Sequence, residues 1–148
     1  MGFFSNLKNK ITGGGATVNL QVPSVVRGQP APVRIEVTAK ADGKVNAVYL
    51  LINAVESCEV KDSDWNGTKH TTETVRGRKT SYENKLTVAG PFELKAGQSY
   101  SFDARIELPT SANPSFDGKM IEHEWAIQAG LDMAGNDPDS GWIKFQVS

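Results

Sequence analysis

From Ala16 onward the chain is dominated by alternation of apolar and polar positions, interrupted by clusters of Gly, Pro, Asn and Asp. Such a pattern predicts strands rather than helices. In SYSFDARIEL, Tyr100, Phe102, Ala104, Ile106 and Leu108 point one way while Ser101, Asp103, Arg105 and Glu107 point the other. In MIEHEWAIQAGL, Ile121, His123, Trp125, Ile127, Ala129 and Leu131 share one face. Each stretch reads as a half-buried strand. Three shorter stripes follow the same rule: Val18, Leu20 and Val22; Val33, Ile35 and Val37; Ile143, Phe145 and Val147. The run NAVYLLINAV is apolar on both faces, and its Val, Tyr and Ile favour a buried strand. About six to eight short strands at this spacing predict an all-β, two-layer β-sandwich with Tyr100, Phe102, Ile106, Trp125 and Ile127 in its core.

The amino terminus departs from this pattern. Phe3, Phe4, Leu7 and Ile11 fall on one face of a helix, and TGGG then ends the periodicity. Burying each side chain contributes roughly 1.5 to 3 kcal/mol, so the stripe calls for a cover. Residues 1–13 are therefore expected to form a short amphipathic helical segment. It packs on its own sandwich, on a second copy, or on a partner or membrane surface, with Phe3, Phe4 and Leu7 as the contact face.

The 148 residues suit one domain, and a chain of that length buries about 68 to 70 % of its unfolded surface. Sixteen basic and 17 acidic residues leave a net charge of -1, which gives no footprint for nucleic acid or an anionic membrane. The single cysteine, Cys58, cannot form an internal bridge, and no apolar run suits a leader or a membrane span. A cytoplasmic location is the expectation. Asn66-Gly67-Thr68 fits a glycosylation acceptor that such a protein would not use, and MGFFSN fails the myristoylation pattern at Asn6.

Taken in order, FFSNLKNKITGGGATVNLQV, VRGQPAPVRIEV, PFELKAGQSYSFDARIELPTSANPSF and EHEWAIQAGLDMAGNDPDSGWIKFQV resemble the arrestin-like amino-terminal domain of bacterial sporulation-control proteins. The resemblance covers nearly the whole chain. It implies an arrestin-like sandwich, no enzymatic activity, no cofactor, and a regulatory or scaffolding role through protein contacts. Members commonly carry a second sandwich and a tail, so a chain ending at Ser148 is either a one-domain member or a segment cut at a domain boundary. The strand ATVNLQV lacks a lysine pair for phosphate sensing, so phosphoreceptor binding is not carried over.

Catalytic material is sparse. The chain has no G-x-S-x-G, P-loop or H-E-x-x-H, and two histidines with one cysteine do not make a zinc cluster. Cys58 and His70 have no spacing that argues for a nucleophilic pair, and His123 reads as a neutral core histidine sharing one backbone hydrogen bond. The basic cluster RGRK, residues 76–79, reads as a solvated turn between strands with glycine at the bend. No aromatic residue interleaves with it. The tract DMAGNDPDSG offers Asp132, Asn136, Asp137 and Asp139, and its Gly and Pro mark a turn.

DSDWNGTKHTTE matches the calcium-loop pattern at Asp62, Asp64, Asn66, Gly67 and Glu73. The flanks do not suit an EF-hand, and Asn66-Gly67 is a strong two-residue hairpin turn. With that turn, Asp64 faces Lys69, Cys58 faces Val75, and Glu73 sits roughly 20 Å down the strand from the tip. The expectation is a hairpin, with Asp62, Asp64 and Asn66 left as weak metal candidates. A calcium-responsive module built on residues 62–73 is the alternative to a protein-interaction domain. Its partner would bind through an open sheet edge or the amino-terminal segment, and a homodimer belongs to the same reading.

Overall fold

The computed structural model describes residues 15–148. The helical segment expected at residues 1–13, with Phe3, Phe4 and Leu7, lies outside the described residues. Nine strands follow: β1 (Ala16–Gln21), β2 (Ala31–Ala39), β3 (Gly43–Trp65), β4 (His70–Ala89), β5 (Phe92–Leu94), β6 (Ser99–Ile106), β7 (Phe116–Asp117), β8 (Ile121–Met133) and β9 (Ile143–Phe145).

The strands form two antiparallel sheets, one in the order β1-β2-β6 and the other β4-β3-β8-β7, with β5 paired to β3 and β9 to β8. Alternation explains their contact. Val18, Leu20, Val33, Ile35 and Val37 turn inward from the first sheet. They meet Val48, Leu50, Ile52, Trp125, Ile127 and Leu131 of the second. The result is the all-β sandwich that the stripes predict.

Two differences have physical causes. Tyr100 and Phe102, expected in the core, are half-buried, whereas Ile106, Trp125 and Ile127 are buried. β6 is the outer strand of the three-stranded sheet, so its aromatic side chains have cover on one side only, from Phe92 at ring separations of 5.2 and 5.3 Å. The second difference is length. NAVYLLINAV is a strand as expected, but it is only part of a 23-residue strand, β3, paired to the 20-residue β4. The inward row of β3 is buried as far as Ala54 and exposed from Cys58 onward.

Candidate functional site

Where β3 and β4 leave the core, they become a free-standing arm. β8 pairs with β3 only as far as Cys58, opposite Ile121, and the Glu59 amide donates to Met120 O at 2.8 Å just beyond it, so among the described residues 60–65 and 70–75 are paired solely with each other. Seven residues separate Cys58 from Trp65, which carries the tip roughly 23 Å past the last three-stranded rung.

The tip turns one residue later than the sequence suggests. Asn66 stands before the turn, and its Oδ1 accepts the amides of Thr68 (3.1 Å) and Lys69 (2.9 Å). Gly67 then takes the first central position with φ of 91°, which suits a II′ hairpin turn. Moving the turn centre by one residue moves the cross-strand register by two. Asp64 therefore faces Thr71 rather than Lys69, and Cys58 faces Gly77 rather than Val75.

The corrected register sorts the arm into two faces. On the side continuous with the core lie Val60 opposite Val75 and Asp62 opposite Glu73. On the outer side lie Ser57 opposite Arg78, Glu59 opposite Arg76, and Trp65 opposite His70. Arg76 Nε donates to Glu59 Oε2 at 3.3 Å, and the Trp65 and His70 rings are 4.9 Å apart. The weak metal candidates do not wrap around a common point. Asp62 and Asp64 lie along one strand, Glu73 lies on the other, and the Asn66 carboxamide oxygen is already engaged in the turn. Among the described residues, no group of three Asp, Glu, His or Cys side chains is placed to hold a metal ion.

RGRK, expected as a turn, is an internal segment of β4. Gly77 supplies room rather than a bend, because a Cβ there would approach Cys58 Sγ at 3.0 Å. Cys58 and His70 lie at opposite ends of the arm, paired to Gly77 and Trp65 respectively. At the root of the arm an open hollow of about 700 Å³ lies between it and the turn before β8. Lys61, Arg76, Arg78 and Lys119 line it together with Glu59 and Glu122. Of these cations only Arg76 has an ion-pair partner among the described residues.

β4 is also a sheet edge. It pairs with β3 along its length and, among the described residues, with no strand on its other side. Over the arm none of the described residues pairs with that side, which leaves alternate backbone N–H and C=O groups there without a ladder partner among them.

Two polar clusters brace the body beneath. His123 is 5 % exposed, and Pro114 O accepts from its Nδ1 at 2.8 Å. Its Nε2 lies 2.6 Å from Ser81 Oγ, a second bond that the sequence did not reveal. Ser81 is the extra residue of a bulge, since Ala54 pairs with Tyr82 and Val55 with Thr80. In the 132–139 tract, Asp137 accepts from Tyr49 OH at 3.1 Å through Oδ2 and from the Met133 amide at 3.1 Å through Oδ1. Asp139 accepts from the Gly141 amide. These carboxylates serve the loop itself. Burial, then the bond to Asp137 and the charges of Asp137, Asp139 and Asp132, push the Tyr49 phenol up to about 12.

Over 91 % of its length the chain superposes on Spo0M, a sporulation control protein from Bacillus subtilis, with a TM-score of 0.62 and 20 % identity. The chain has the arrestin-like sandwich fold of Spo0M. It spans about half of the Spo0M chain, covering 50 % of it. The carboxy-terminal domain of wzt is a more distant likeness, with a TM-score of 0.46 and 13 % identity over 91 % of this chain and 74 % of that one. No family model and no curated protein sequence matches the chain. Among the described residues, no helix is long and apolar enough to cross a membrane.

Proposed function

We propose that this chain is a non-catalytic regulatory or scaffolding module of the cytoplasm, one arrestin-like sandwich domain with an amphipathic segment at residues 1–13. It acts by protein contacts, as the resemblance to sporulation-control proteins implies. The observation that carries this reading is β4, a 20-residue edge strand whose outer part projects beyond the sandwich. An uncovered edge is a template for a partner's backbone, and the side chains beside it select that partner. The face of Phe3, Phe4 and Leu7 supplies a second contact in this reading.

A photoreactive residue placed at Thr74 on β4, and separately at Leu7, tests the reading in the native cell. Discrete adducts are expected from these positions and none from an equivalent residue at Asp103, on the outward row of β6. Absence of adducts at both sites would overturn the function. Deleting residues 2–11 should reduce the adducts while leaving the unfolding transition of the sandwich in place. Global unfolding on deletion would assign the segment to the core instead.

A further inference from the structure

We infer that the edge of β4 between Thr74 and Thr80 takes an extended acidic segment of a partner protein as an added strand. This rests on the protein-contact reading and deepens it by giving the partner's chemistry. Two independent features converge on these residues. The first is backbone: none of the described residues pairs with this side of β4, so a peptide laid along it gains ladder hydrogen bonds. The second is charge. Arg76, Arg78 and Lys79 stand within four residues of a chain whose net charge is -1. Lys61 and Lys119 extend the basic character into the adjoining hollow.

The register gives the incoming sequence a pattern. Arg76 and Arg78 project on the outer side of the sheet, where they face the hollow. Val75 and Gly77 project on the inner side, level with Val60 and Cys58. An added strand therefore places acidic side chains beside Arg76 and Arg78. Between them it places apolar side chains beside Val75 and beside Gly77, where Cys58 Sγ lies close. Alternating acidic and apolar positions are the signature of the partner. A nucleic acid would meet the cations but has no amide ladder to offer the edge. A second copy of the chain is disfavoured about this point, since two-fold pairing centred on Arg78 sets Arg78 opposite itself.

The test uses the full chain, isotope-labelled, and a synthetic peptide that alternates Glu with Val. Amide resonances of residues 74–80 should shift, and those of β1 and β6 should not. A Lys-Val peptide should leave the spectrum unchanged. An acidic peptide N-methylated at alternate residues, which keeps its charge but loses its donors, should bind at least about tenfold more weakly. Arg76→Glu with Arg78→Glu should weaken the acidic peptide by about tenfold or more, as expected for two exposed charge pairs reversed. Shifts elsewhere, equal binding of the methylated or lysine peptide, or no binding would overturn the inference. So would a concentration-dependent dimer whose interface is this edge. Adducts at Thr74 in the cell with no binding of the acidic peptide would overturn the strand chemistry alone and leave the protein-contact function standing.

Discussion

Ser81 Oγ lies 2.6 Å from Nε2 of His123, linking the bulge in β4 to the buried face of β8. His123 also sits edge-on to Trp125, with ring centroids 5.8 Å apart. Removing the hydroxyl leaves a buried ring nitrogen without its partner, so Ser81→Ala should cost about 1 to 3 kcal/mol. His123→Ala should cost at least as much, because it also opens space beside Trp125. Urea unfolding of the two single variants and the double variant checks this. Additive losses would mean that the pair is not coupled.

Gly130 makes room for Tyr49. The two are Cα partners across β3 and β8, and a Cβ on Gly130 would overlap the Tyr49 ring. That ring cannot step aside cheaply, being buried, bonded to Asp137 and covered by Lys85 Nζ at 4.7 Å from its centroid. Gly130→Ala should destabilise by about 1 to 3 kcal/mol. In a Tyr49→Ala background the same change should be nearly neutral. Equal cost in both backgrounds would point to backbone conformation rather than overlap.

The Tyr49 phenol gives alkaline stability a defined window. Its folded value of about 12 stands above the ordinary 10.0, so the folded state holds this proton more tightly than the unfolded chain does. The contribution is fully present below pH 10 and is lost as pH rises towards 12. The urea midpoint of Tyr49→Phe should therefore fall less steeply than that of the parent between about pH 10 and 12. Identical slopes would remove the assignment.

Residues 62–73 should not bind calcium in the micromolar range, since their oxygens are spread along two strands and the Asn66 carboxamide is held in the turn. Calorimetric titration of chelator-stripped protein, with Asp64→Ala as control, checks this. Micromolar binding lost in that variant would restore the calcium-responsive alternative. The same register sets Asp62 opposite Glu73, a like-charge pair. Glu73→Thr should accordingly steady the arm by about 0.2 to 1 kcal/mol, read as slower amide exchange near the tip.

The sandwich was legible because burial writes itself into alternation. Val33, Ile35 and Val37 could face only one way, and Leu50 and Ile52 had to be covered. The arm was much less legible. From Glu56 to Lys79 both sides meet solvent for most of the length, so no apolar stripe marks where β3 ends. RGRK looked like a turn because glycine usually marks one, yet Gly77 is there to clear Cys58. Asn-Gly fits two arrangements, and the turn centre lies one residue beyond the one that its spacing suggests. The capping bonds of Asn66 to Thr68 and Lys69 choose between them. The partners of Tyr49 and His123 carried no signal in spacing, since Asp137 and Ser81 reach them from 88 and 42 residues away.

β3 runs without a break from Leu50 and Ile52 in the core to Trp65 at the tip. The bulge beside Ala54 and Val55 lies inside the three-stranded part, which ends at Cys58. Seven residues separate Cys58 from Trp65, so a tilt of about 5° where the third strand ends sweeps the tip through about 2 Å. A small tilt at the root of the arm thus becomes a displacement of the tip comparable with a hydrogen-bond length, while the Ser81–His123 contact stays on the anchored side of that root.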